Sequence, residues 1–419
     1  MLVALSLMVA TPAGAHIGAG AGQTDILLRA DSDDVWMKAP WGFVFRAADD
    51  DWRWVCHEVF SAGDNALLPD LELASDGTLL AIVGMLNGVV VPGVSLYRSA
   101  DGGCSWQPVT GLEDRVVVGA SFDPDDPAIA IAITADLDSG DGVPPNGIAR
   151  STDGGASWTL VREWDARLMR AARFGAGGRA WALSVQVDPP QGWLLRSDDQ
   201  GATWQELPLP TQGVDSVLLG RIPAASPTDP DELWLNFDGD AADALFRSTD
   251  GGVGFEPVGG LPAVFTDLTL GEDGSQWLIG GAREVFRSTD AQTWTRIEAP
   301  QSWGGALDAR GLWLAVNTLA DDRAVVRIGP GDAVIDALRT LDLAGPLQCP
   351  AGSDVARICE PLWGTLVELL EGMRPRPSGD DDDSAGPVVV EPGCGGCDGG
   401  GAALLPLFLA VGLRRRLRA

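Results

Sequence analysis

RSTDGGASW, Arg150–Trp158, decides the reading of this chain, because the same phrase returns along it. It reads RSADGGCSW at Arg98–Trp106, RSDDQGATW at Arg196–Trp204 and RSTDGGVGF at Arg247–Phe255. A shortened copy, RSTDAQTW, runs Arg287–Trp294, and a worn one, RAADDDWRW, runs Arg46–Trp54. The opening arginines fall roughly 40 to 52 residues apart, a period that marks a repeat architecture. One further step lands on Arg327 in AVVRIGPGD, where the phrase has decayed but a strand-like run remains, so the units number seven.

The residues around each phrase repeat as well. A turn rich in Asp and Gly precedes an apolar run, as in SDGTLLAIVG from Ser75, DPDDPAIAIAIT from Asp123 and EDGSQWLIGG from Glu272. A second run ends in the arginine, as in EVFR at Glu284–Arg287, and another begins at the tryptophan, as in SWTLVRE from Ser157. Turns alternating with short β-branched and aromatic runs are hairpin signals. Each unit therefore reads as about four short strands. Units of that kind at this period predict an all-β chain, a seven-bladed β-propeller of four-stranded blades, over residues 16–345. Before the tail only residues 354–373 read as a helix, and a short hydrophobic helix is expected at the C-terminus.

The phrase suits a fastener. A tight turn leaves backbone N–H groups unpaired, and an Asp carboxylate or Ser hydroxyl accepts them. Gly supplies a positive φ, and Trp buries a large apolar area between sheets. S-x-D-x-G-x-x-W resembles the Asp-box, or BNR repeat. Ser99, Asp101, Gly103 and Trp106 fill it, as do Ser151, Asp153, Gly155 and Trp158, and Ser197, Asp199, Gly201 and Trp204. Ser248, Asp250, Gly252 and Phe255 match with one aromatic exchange, and Ser288, Asp290 and Trp294 with one residue deleted. These positions are expected to be structural, since a catalytic group would occur once and not in every blade. The arginines, one per blade, are expected on the surface or pairing between blades.

The resemblance implies propellers of several functions. Sialidases use a tyrosine nucleophile paired with a carboxylate, a second acidic residue and three arginines that grip the substrate carboxylate. Tyr97 is the sole tyrosine here, at a position where other blades have Phe45, Phe246 and Phe286, which makes it a core aromatic. Other Asp-box glycosidases use paired carboxylates, but no pair stands out among 59 acidic residues. Photosystem assembly factors and sortilin-type receptors share the repeat. The expectation is a non-catalytic extracellular propeller that binds or scaffolds an unknown protein or glycan. The alternatives are a glycan-processing hydrolase, sialidase-like or other, and an assembly or chaperone-like factor.

Charge narrows the partners. The net charge is −30, with 29 basic and 59 acidic residues, and it repels phosphate backbones, so no nucleic-acid partner is expected. Lys38 is the only lysine, and His16 and His57 stand apart, so no metal site and no cofactor is expected.

Both ends read as addresses. MLVALSLMVATPAGA, Met1–Ala15, is apolar and closes on an A-x-A pattern, which predicts a signal peptide cut after Ala15. PGCGGCDGGGAALLPLFLAVGLRRRLRA, Pro392–Ala419, joins a cysteine pair, a short apolar run and a basic terminus. It resembles the MYXO-CTERM tail of myxobacterial surface proteins. The resemblance implies a sorting protease acting on the tail, with Cys394 or Cys397 processed, and delivery to the cell surface with the membrane met through residues 394–419. The CGGC spacing departs from the usual pattern. Residues 374–393 read as an acidic, proline-rich disordered stalk.

The remaining cysteines suit an oxidising compartment. Cys349 and Cys359, close together after the last blade, are expected to bridge and pin residues 346–373. Cys56 and Cys104, in adjacent units, are expected to bridge neighbouring blades.

Overall fold

In the computed structural model, residues 26–372 are described, apart from 30–31, 47–50, 61–68, 84, 87–88, 91–94, 137–145, 240, 263 and 319–320. The predicted signal peptide, the stalk and the tail, with Ala15, Cys394 and Cys397, lie outside the described residues.

Seven four-stranded antiparallel sheets form the body, each built from strands in chain order, with a small hairpin, Met85–Leu86 and Val89–Val90, inserted between the second and third strands of blade 2. The blades span 26–55, 70–108, 115–164, 167–208, 220–257, 265–297 and 302–339. The first strand of each blade touches the first strands of its neighbours, and Ser302–Asp308 of blade 7 meets Ile26–Leu28 of blade 1. The seven sheets thus close into a propeller with first strands around the axis. Second strands such as Val35–Ala39 and Leu233–Phe237 are buried throughout, because sheets cover them on both faces. Trp181, Trp234 and Trp313, on second strands of blades 4, 5 and 7, are buried completely or nearly so, which makes these indoles the largest wedges of the core.

The repeated phrase forms the turn between third and fourth strands. In blade 3, Ser151 Oγ donates to Asp153 Oδ1 at 2.8 Å and accepts from Gly155 N at 2.9 Å. Asp153 Oδ1 accepts from Ser157 N at 2.9 Å, and Gly155 O accepts from Trp158 Nε1 at 3.0 Å. Ser99/Asp101, Ser197/Asp199, Ser248/Asp250 and Ser288/Asp290 repeat the serine-to-aspartate bond at 2.8–3.0 Å. Gly155 has φ +82°, and a Cβ there would meet Leu80 of blade 2 at 2.8 Å, so the turn needs glycine for its conformation and for the close approach between blades.

The arginines that open the phrases complete the fastening. Arg98 Nε donates to Gly154 O at 2.6 Å, Arg150 Nε to Gln200 O at 2.7 Å, and Arg196 donates through a terminal nitrogen to Gly251 O at 2.8 Å. Each acceptor is the carbonyl before the box glycine of the next blade. One turn is thereby clamped to the next by a charge-assisted bond.

The carboxylates of these turns titrate low. Partial burial works against Asp101, Asp153 and Asp199, but serine, threonine and backbone donors outweigh it and hold all three below the ordinary range. The N–H groups of Thr293 and Gln292 bring Asp290 to about 2. A depressed carboxylate stabilises the fold above its unfolded pKa of about 4, and that stabilisation fades as pH falls through the folded value. The melting temperature is therefore expected to stay flat from about pH 7 to 5 and to drop steeply between about pH 4 and 2. A scan of melting temperature against pH checks this; a profile still flat at about pH 2 would show that these bonds contribute nothing.

Ring closure differs from the sequence expectation. After blade 7 the chain runs beside the outer strand of blade 1, where Ala344 N donates to Trp52 O, Trp54 N to Gly345 O and Leu347 N to Trp54 O, at 2.8–2.9 Å. Helix Asp354–Gly372 follows, with Trp363 against Trp54 at 6.0 Å between ring centroids. The disulfides are Cys56–Cys359 and Cys104–Cys349. The expected pairs, Cys349–Cys359 and Cys56–Cys104, are not the ones formed. A closed ring lays the end of the chain on blades 1 and 2, so proximity in space overrides proximity in sequence. The C-terminal segment is pinned to the first two blades and not to itself. Two disulfide bridges suit an exported protein. No described helix is long and apolar enough to cross a membrane.

Candidate functional site in the central channel

Five first strands break register near their start, between Val117 and Gly119, Met169 and Ala171, Arg221 and Ala224, Phe265 and Asp267, and Ser302 and Gly304. A bulge re-aims the side chain it releases. The residues at the breaks are Val118, Arg170, Ile222 with Pro223, Thr266 and Trp303, of which Ile222 is buried in an apolar core cluster and Val118 packs against another.

Arg170 stands out among them. Its side chain is exposed to solvent. Loss of hydration lowers its pKa, Asp238 opposes that, and Arg221 reinforces it. Arg221 pairs with Asp238 at 2.6 Å, and Asn236 Nδ2 donates to the same oxygen at 2.9 Å. Arg221 Nε and Asn236 Oδ1 are buried without a hydrogen-bond partner. Unsatisfied buried polar atoms are costly in a core and are the groups a ligand would satisfy.

Asp267 is the second outlier. In the other bulged strands the residue after the break is Gly119, Ala171, Ala224 or Gly304, all small. Asp267 Oδ1 accepts from Leu268 N at 2.9 Å and Oδ2 from Gly305 N at 2.8 Å, tying blade 6 to blade 7. Burial raises its pKa, against the pull of Gly305 N–H, Arg173, Leu268 N–H and Arg221. A carboxylate shifted by desolvation beside named cations is a mark of functional sites. Arg170, Arg173 and Arg221 with Asp238 and Asp267 leave a locally cationic centre in a chain of net charge −30.

None of these residues is distinguished by the repeat. The signal was RLMRAARF, Arg167–Phe174, and FTDLTL, Phe265–Leu270, where charges interrupt strands that otherwise read as core. The residues singled out in sequence lie elsewhere. The turn serines and aspartates sit on the rim, bound to their own turns. Tyr97 is on the third strand of blade 2, its ring edge-on to Phe60 at 6.2 Å, and burial pushes its phenol up. His57 Nε2 lies 3.5 Å from Glu58.

No family model and no curated protein matches the chain. Solved propellers do. The GH74 xyloglucanase of Xanthomonas campestris superposes with a TM-score of 0.50 at 15% identity, over 77% of this chain and 55% of that one, so this chain spans about half its length. The Hadza microbial sialidase Hz136 gives 0.40 at 14% identity, over 70% and 73%. YCF48 bound to D1 peptide gives 0.36 at 16%, over 53% and 68%. At these identities the likeness is one of fold. Structures of the propeller class include hydrolases and binding proteins alike.

Proposed function

We propose that this chain is an exported, surface-anchored propeller that binds or scaffolds a protein or glycan without catalysis, and that its repeated turns are Asp-boxes in the family sense. Anchoring rests on the resemblance of residues 392–419 to MYXO-CTERM tails. The observation that carries the binding reading is the grouping of Arg170, Arg173 and Arg221 on the first strands of blades 4 and 5, with Arg221 Nε unpaired. Such a grouping favours a ligand that presents carboxylate or other acceptor oxygens to the axis.

A glycan array and a surface pulldown with residues 16–375 test this reading. Bound material is expected to be rich in acidic groups. The double variant Arg170→Ala/Arg221→Ala is expected to bind about 10- to 100-fold more weakly, the loss of one or two charge-assisted bonds. Equal binding by the variant would move the site away from the channel.

One observation favours a second reading. The raised carboxyl of Asp267 beside arginines has the character of a general acid, the role needed by a glycan-processing hydrolase. Release of reducing ends from acidic oligosaccharides, abolished by Asp267→Asn, would establish that reading in place of the first.

A further inference from the structure

The four closest guanidinium–indole contacts among the described residues are Arg162 on Trp164, Arg167 on Trp193, Arg283 on Trp303 and Arg310 on Trp313, at 3.4–4.9 Å from ring centroid. In three of them a carboxylate also takes N–H donors of the guanidinium, Glu206 for Arg162 and Arg167 and Asp308 for Arg310. Arg283 makes the closest contact, at 3.4 Å, and its guanidinium has no hydrogen bond or ion pair among the described residues. Loss of hydration alone lowers its pKa, with no carboxylate opposing.

The backbone of Arg283 is strained as well. It takes φ +64° where it closes the turn from Gly280, N to O at 2.7 Å. Left-handed backbone suits glycine, and a β-carbon there costs stability. Arg283 O accepts from Ser302 N at 3.1 Å, one residue before the indole, which fixes the turn to the first strand of blade 7. Strain of this kind concentrates at ligand sites. A cleft of about 450 Å³ opens beside Arg283, lined also by Glu284, Arg296, Ile297, Glu298 and Gln301. Arg296 holds Glu284 at 3.2 Å. The side chains of Glu298 and Gln301 are exposed and have no partner among the described residues.

We propose that this cleft binds an acidic sugar, a hexuronate whose carboxylate lies on the donor edge of Arg283 and whose hydroxyls donate to Glu298 and Gln301. A guanidinium fork fits a carboxylate, and the three other stacked arginines show one in that place. Glu284 and Glu298 disfavour a doubly charged oxyanion such as phosphate more than a single carboxylate. The cleft has the size of small-ligand sites. It shares no residue with the arginine grouping of blades 4 and 5 and does not rest on that reading.

The test follows the Arg283 Nε–H resonance of arginine-labelled protein, assigned by its loss in Arg283→Gly, while methyl glucuronide, methyl glucoside, acetate or inorganic phosphate is added at constant ionic strength. The glucuronide is expected to shift it saturably with a Kd of about 1 mM or tighter, and the other three at least about 10-fold more weakly. Arg283→Lys keeps the charge without the fork and is expected to bind the glucuronide about 10-fold more weakly, read by titration calorimetry. Arg283→Gly is expected to abolish binding and to melt no lower than the parent, because glycine relieves the turn. The Arg170→Ala/Arg221→Ala variant is expected to keep the glucuronide shift at Arg283, which separates this site from the channel. No saturable shift, equal binding of glucoside, acetate or phosphate, loss of the shift in the double variant, or a fall of more than about 5 °C in Arg283→Gly would overturn the proposal, the last by making the contact with Trp303 a fastener.

Discussion

Cys359→Ser is expected to lower the melting temperature by roughly 5–10 °C, and the double loss of Cys359 and Cys349 by at least twice as much. The two bridges are nested, Cys104–Cys349 within Cys56–Cys359, with sequence separations of 245 and 303 residues. With one bridge intact, the other closes an effective loop on the order of 60 residues, for which chain entropy gives about 4 kcal/mol. With neither, both ends of the ring are free, and the loop to be closed is the whole propeller. Thermal melting of the single and double variants measures the effect. Peptide mapping under non-reducing conditions tests its basis, and recovery of a Cys349–Cys359 peptide would refute the clasp.

Trp158→Ala is expected to cost about 3–5 kcal/mol, the usual range for emptying a buried indole site. Trp158 is 5% exposed and donates Nε1–H to Gly155 O, so the substitution leaves a cavity and an unpaired carbonyl in one turn. The same change at Trp294 is expected to cost clearly less. The shortened box leaves that indole half-buried, with Nε1 unbonded. Equal losses in denaturant unfolding would mean that the tryptophans act by size alone and that the turn geometry adds nothing.

The contrast between these two tryptophans marks what could be read from the residues. Blade number and strand count were legible because the turn recurs, and each copy checks the others. The roles of Ser151, Asp153, Gly155 and Trp158 followed from turn chemistry. Arg170 and Asp267 did not stand out because each occurs once, on strands whose neighbours at equivalent positions are small or apolar. Their interest comes from bulges and nearby charges, which depend on neighbouring blades. The cysteine pairs were misread for a related reason. Pairing by nearness along the chain is sound for an open fold, whereas a ring returns its last segment to its first blade. The arginine clamp lay between these cases: one arginine per blade pointed to contacts between blades, but the acceptor, a carbonyl in the next turn, needed coordinates.

The clasp also imposes an order on assembly. Cys56 and Cys104 are made early, and their partners at 349 and 359 emerge only after all seven blades. A chain that stops short of residue 349 carries two thiols with no native mate, free to join each other, and leaves the outer edge of blade 1 uncovered. Oxidation to the native pairs thus requires that synthesis has passed residue 359 and so has delivered all seven blades.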